Sequence, residues 1–146
     1  MIFGLSAGLS ESMRLKMREK ELSVFLDALV SLKSAAAYTA GDLYTLLELC
    51  RENAFLAQIG KEADIRAAWV KASDRFFTRR ADRETATAFI QGYGKTDLAG
   101  QLAYIGLFET RVQAALQAAR REAEAKCKLY AMLGLFSGTV TALILI

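Results

Sequence analysis

Gly94-Lys95-Thr96 ends in the same three letters as a phosphate-binding loop, so nucleotide chemistry is the first to be weighed. Such a loop needs G-x-x-x-x-G-K-[ST] between a buried strand and a helix, because its backbone N–H groups must wrap the phosphates. Where the first Gly should stand there is Phe89, and the preceding "ETATAFI" has helical rather than strand spacing. The tripeptide therefore predicts no nucleotide site, and its glycines are better placed as a helix stop. Other chemistry is equally thin. The chain has no His, which removes imidazole catalysis and makes a zinc site depend on converging thiolates or carboxylates. Cys50 and Cys127 are far apart and form no C-x-x-C pair. Each lies in an apolar stripe, where free Cys acts as a small buried hydrophobe. Among the carboxylates, Asp82 and Asp97 are placed to cap helices, and Asp74 lies among Arg75, Arg79 and Arg80 on a solvated face. We expect no enzyme, no cofactor and no metal.

The elements behind these residues are helices. A chain of 146 residues allows one domain. It has no Pro and is rich in Ala, Leu, Lys and Glu at spacings of three and four, which predicts an all-α fold. The net charge of +3 is too small and too mixed to indicate nucleic-acid binding. A first helix is predicted from Ser10 or Ser12 to about Ala37, with a basic start at Arg14, Lys16, Arg18 and Lys20. Thr39-Ala40-Gly41-Asp42 reads as a capping box for a second, with Tyr38 and Leu43 as the hydrophobic staple. That second helix, bearing Leu43, Leu46, Leu47 and Cys50, is expected to fray between Asn53 and Gly60. A third, Asp64 to Phe77, buries Ile65, Ala68, Trp69, Ala72 and Phe76. A fourth, capped by Asp82, turns Ala86, Phe89 and Ile90 inward and stops at Gly92 and Gly94. The fifth starts at Thr96 or Asp97, and its core side is marked by Leu98, Leu102, Ile105, Val112, Leu116 and Ala119.

Leu129 to Ile146 contains 18 residues without a charge. As a helix it is about 27 Å long, close to the hydrocarbon thickness of a bilayer. Tyr130 and Lys128 suit the interface. The expected organisation is a short apolar N-terminus at 1–9, too short to span, a helical domain at 10–128 and a C-terminal transmembrane anchor at 129–146. Arg120, Arg121, Lys126 and Lys128 precede the anchor, so the positive-inside rule places the body in the cytoplasm. Gly134, Gly138 and Ala142 repeat at spacing four, a small-residue face suited to helix pairing in the membrane.

With the cap at Asp97 identified, "GYGKTDLAGQL" resembles the G-x-x-[LY]-G-x-x-D-x-x-x-Q turn of the stage III sporulation protein AB family. "AAAY" ending at Tyr38, "AAW" at Ala67 to Trp69, and the KLYxxLGxxxGxxxxLIL pattern over Lys128 to Leu145 follow in the family's order. Relatives usually begin with a full transmembrane helix where this chain has Met1 to Leu9, and tend to carry Pro where it has Ala40-Gly41. The resemblance implies a small helical bundle similar to the cytoplasmic domain of type II secretion inner-membrane platform proteins. It further implies a non-enzymatic scaffold of the channel complex between mother cell and forespore, on the mother-cell side. Its partners would be a sister sporulation ATPase and other proteins of the channel complex. The alternative is a generic tail-anchored helical adaptor. Arg14, Lys16, Arg18, Asp97 and Gln101 are the candidate partner-binding residues; the basic cluster of Arg14, Lys16, Arg18 and Lys20 suits anionic lipid as readily as a protein, and Asp97 suits a structural cap equally well.

Full-length protein is expected to pellet with membranes and resist carbonate extraction, whereas a chain lacking Leu129 to Ile146 should be a soluble, folded, helical domain. Persistent membrane binding of the shortened chain would transfer the anchoring role to the basic N-terminus.

Overall fold

The computed structural model describes residues 2–39, 43–59 and 64–146, with the side chains of 2–9 and of Tyr44 excepted. Five α-helices occur in it: α1 (Ile2–Thr39), α2 (Leu43–Leu49), α3 (Ile65–Phe76), α4 (Arg80–Gly92) and α5 (Leu98–Leu145). There is no strand among the described residues.

The frame is the pair α1 and α5. Lys33 meets Glu109 at 3.7 Å, Arg120 meets Glu19 at 3.1 Å and Arg18 meets Glu122 at 3.8 Å. Lys126 donates to Glu11, and so does the Tyr130 hydroxyl at 2.9 Å. Each step back along α1 is a step forward along α5, so the two run antiparallel. Between these polar flanks lies an apolar seam. Leu15, Leu22, Phe25, Leu29, Leu32 and Ala36 from α1 are buried, as are Ile105, Phe108, Val112, Leu116, Ala119 and Ala123 from α5. The periods of three and four that define both sets are those of one helix face.

A hairpin of α3 and α4 is laid against this pair and fastened by rings. Phe25 of α1 packs edge-on to Phe55 at 5.2 Å and to Phe77 at 5.3 Å, and Phe55 packs on Trp69 at 5.1 Å. Trp69 lies 5.4 Å from Phe89, which in turn meets Phe108 of α5 at 5.3 Å. A continuous aromatic chain thus crosses from α1 through α3 and α4 to α5. Buried in it, the Trp69 indole N–H still needs an acceptor, and it donates to the Ala86 carbonyl at 3.0 Å.

Several local expectations change. α1 begins at Ile2 rather than at Ser10, so the apolar N-terminus is continuous with the first helix. Ala40, Gly41 and Asp42 lie outside the described residues. Thr39 itself is the last residue of α1, where its hydroxyl donates back to the Ala35 carbonyl at 2.8 Å. Tyr38 is 91% exposed and staples nothing to Leu43. The stretch after α2 does not fray. Asn53 accepts from the Phe55 and Leu56 amides and donates to the Val24 carbonyl at 2.9 Å, fixing a 3-10 turn, Leu56–Gln58, to α1. That fixation drives Phe55 into the core. Gly60 lies outside the described residues. Phe77, one residue past the end of α3, is buried more deeply than Phe76, because the extended chain there swings it under Phe25. Leu98, on the first turn of α5, is 39% exposed rather than part of the core. Cys50 is buried as expected, but Cys127 is exposed on α5 with its sulfur 3.6 Å from the Ser12 hydroxyl.

Replacing Phe55 with Ala should remove the ring that joins α1 to α3. Thermal or denaturant unfolding of the full-length protein in detergent should show a loss of about 3–5 kcal/mol, the usual range for truncating a buried aromatic. A loss below about 1 kcal/mol would mean that the 3-10 turn is not part of the cooperative core.

Candidate partner-binding surface

The Gly-Lys-Thr stretch forms a helix–turn–helix. α4 occupies the place where a phosphate loop needs its strand. The α4 C-terminus is closed by Arg66 of α3, whose guanidinium donates to the carbonyls of Ile90 at 3.0 Å, Gln91 at 3.2 Å and Tyr93 at 2.9 Å. A cation over the last carbonyls of a helix satisfies both their hydrogen bonding and the helix dipole. Gly94 then turns the chain with φ of 86°, a left-handed conformation that costs Gly little. Asp97 caps α5, accepting from the Gly100 amide at 3.0 Å. Gln101 donates its side-chain amide to the Thr96 carbonyl at 3.3 Å. Asp97 and Gln101 therefore both hold the turn itself. Gly92 allows Tyr104 to close over it: an added Cβ would collide with the Tyr104 hydroxyl and lie 2.9 Å from its ring. That hydroxyl donates to the Ala88 and Phe89 carbonyls, and burial pushes its pKa up.

The basic start of the first helix divides in two. Arg14 and Lys16 are exposed. Arg18 instead turns inward and grips Asp82 with two nitrogens, at 3.0 and 3.3 Å, with the carboxylate only 4% exposed. Asp82 is thus the buried acceptor of an ion pair between α1 and α4. It is not the cap expected of it, because α4 starts two residues earlier with Arg79 at its N-cap position. Beside the pair, Glu21 accepts from the Thr78 amide at 3.3 Å and from its hydroxyl at 3.2 Å, tying the turn between α3 and α4 to α1. Burial raises the Glu21 pKa above its ordinary value. Arg79 reaches Glu122 on α5 at 3.3 Å.

These candidate residues occupy two opposite ends. Asp97 starts α5, and the charge-free run begins 32 residues later, about 48 Å along the helix axis. Arg14 and Lys16 lie on α1 between the Glu11–Tyr130 and Glu19–Arg120 contacts, near the start of that run. No single site unites them. Gly134, Gly138 and Ala142 are exposed, and an added Cβ on either glycine would meet nothing within 4 Å. The sequence reading missed Arg66, Asn53 and the Arg18–Asp82 pair. Each joins segments far apart in the chain, and periodicity carries no signal for such contacts.

Two helices among the described residues are long and apolar enough to cross a membrane, Ser10–Thr39 and Leu98–Leu145. A third of the apolar window in the first is buried within the protein, and none of that in the second. From 131 to 146 every residue is exposed. The first is thus part of the core, and the second ends in an apolar rod that the fold leaves uncovered. Fold and surface together define an all-helical protein whose apolar C-terminal helix is compatible with membrane anchoring. The family model of stage III sporulation protein AB (spore_III_AB) matches residues 1–146, the whole chain, and the protein belongs to that family. Membership supports a role in sporulation. No curated protein and no solved structure matches the chain.

Three substitutions separate structural from exposed charges. Arg18→Ala strands the buried Asp82 carboxylate and should cost about 3–5 kcal/mol in unfolding experiments. Asp97→Ala should cost about 1 kcal/mol through the lost cap. Lys95→Ala should change stability by less than about 0.5 kcal/mol, and ATP should not raise the melting temperature of the unaltered protein.

Proposed function

We propose that the protein is a non-enzymatic, membrane-anchored scaffold of the sporulation channel complex, with its helical body in the mother-cell cytoplasm. The observation that carries this reading is the unbroken α5. One rigid helix runs from the Asp97 cap, through the core, into the uncovered apolar rod. A movement or force applied at the distal turn would be transmitted to the membrane without a hinge. Sidedness is argued from Arg120, Arg121, Lys126 and Lys128 before the rod.

In this reading the body resembles the cytoplasmic domain of type II secretion platform proteins, and its partner is the sister sporulation ATPase. The distal turn between α4 and α5 is the surface farthest from the bilayer and so the most accessible to a cytoplasmic assembly. Stable recognition generally buries about 1,200 Å² or more in total, which helix surfaces around the distal turn can supply.

Co-expression of the full-length protein with the sister ATPase, followed by purification in mild detergent, tests the assignment. Retention with a Kd of about 1 μM or tighter, weakened by salt, is expected. Absence of a complex at low salt would sink the ATPase contact, leaving the anchored scaffold to find its partners within the membrane.

A further inference from the structure

We propose that the groove between the start of α1 and the turn joining α3 to α4 holds the phosphate of an anionic phospholipid headgroup, with Arg14 and Arg79 as its ligands. The inference rests on the reading of α5 as a membrane anchor and adds to it a lipid site.

The groove measures about 700 Å³ and is open to solvent. Ser10, Glu11, Arg14 and Arg18 of α1 line one side, and Thr78 and Arg79 the other. Glu11, the one carboxylate among its described lining residues, is matched by Lys126, whose hydrogen bond is also the first cause of its lowered pKa. Arg18 is occupied by the buried Asp82. Arg79, 44% exposed, shares the single Glu122 carboxylate with Arg18. Arg14 is exposed and makes no hydrogen bond or salt bridge among the described residues, although its charge acts on Glu11 one turn away. Arg14 on one wall thus has no direct ion pair, and Arg79 on the facing wall is half exposed beside Glu122. Guanidinium forks are suited to phosphate oxygens, and Ser10 and Thr78 add hydroxyl groups to the lining.

Position selects the source of the phosphate. The Glu11–Tyr130 hydrogen bond sets the mouth of the groove level with the first residues of the charge-free run. Arg79 contacts Glu122, seven residues before Leu129, about 10 Å farther from the apolar rod. A headgroup layer is roughly 5–8 Å deep on each side of the hydrocarbon, so Arg14 and Arg79 stand at or just beneath it. The charge distribution agrees. Residues 10–21, 75–84 and 120–128, which meet at this end, carry twelve basic and seven acidic side chains, whereas the remaining described residues carry six and seven. The molecule is therefore basic towards the membrane and slightly acidic away from it, the arrangement that an anionic leaflet favours.

The test uses full-length protein in phosphatidylcholine bilayers with spin-labelled phosphatidylglycerol or phosphatidylcholine as the probe. Selection of the anionic lipid is expected, falling by about five-fold for each arginine removed in Arg14→Gln and in Arg14→Gln/Arg79→Gln. Lys71→Gln/Lys95→Gln, the same loss of charge elsewhere, should leave selection unchanged. Arg14→Gln breaks no hydrogen bond or salt bridge among the described residues, and an unchanged melting temperature in detergent separates its effect from a folding defect. Equal association of both lipids with the unaltered protein, or an equal drop in the Lys71/Lys95 variant, would overturn the site. So would its abolition by millimolar glycerophosphate, which would make the ligand a soluble phosphate. Flotation with pure phosphatidylcholine vesicles separates the two readings. Failure to float would remove the anchor and this site with it, whereas floating without lipid selection would remove the site alone.

Discussion

The antiparallel seam between α1 and α5 is the constraint on which the other elements depend. Neither helix has a stable fold alone, because each presents an apolar stripe that must be covered. Joined, they cover one another over the middle of α5, and the polar contacts along their flanks fix the register. The Glu11–Lys126 and Glu19–Arg120 contacts are partly exposed and contribute little to stability. Their role is alignment. A register shift of one turn would move each carboxylate away from its cation and misalign Phe25 with the ring cluster.

The α3–α4 hairpin completes the core by a different device. It is attached through large rings and through two polar side chains of α1 that each satisfy backbone or charge buried by the docking: Glu21 on Thr78, and Arg18 on Asp82. Buried polar groups of this kind cost free energy unless they are paired. They therefore discriminate among ways of placing the hairpin on the seam, which rings alone, being non-directional, would do less sharply. Arg66 does the same for the α4 terminus and so shapes the distal turn.

The two ends of α5 consequently have contrasting surroundings. At the distal end, glycines, a cap and an arginine make a compact turn whose polar groups are mostly satisfied within the chain. At the other, the polar contacts between α1 and α5 reach Tyr130, and α5 continues as an apolar rod whose residues 131–146 are exposed. An unburied apolar helix is strongly unfavourable in water, and a bilayer removes that penalty. The basic residues gathered beside the rod fit the same boundary.

The sequence by itself determined the helices, their main apolar stripes, the Asp97 cap, the glycine stop after α4, the uncharged terminal run and the family. All of these are local in the chain: periods of three and four, side chains capping nearby amides, and unbroken composition. It could not determine that Arg18 belongs to the interior and Arg14 to the surface, although the two lie one turn apart with nearly identical chemistry. Only the tertiary structure decides that, by bringing Asp82 from 64 residues away to within 3.0 Å of Arg18, while Arg14 meets no hydrogen-bond partner among the described residues. For the same reason Asn53, read as fraying chain, proves to fix Phe55 in the core: its partner is the Val24 carbonyl, 29 residues earlier. Contacts between distant segments depend on how whole helices pack, and one helix's pattern does not contain its neighbour's position.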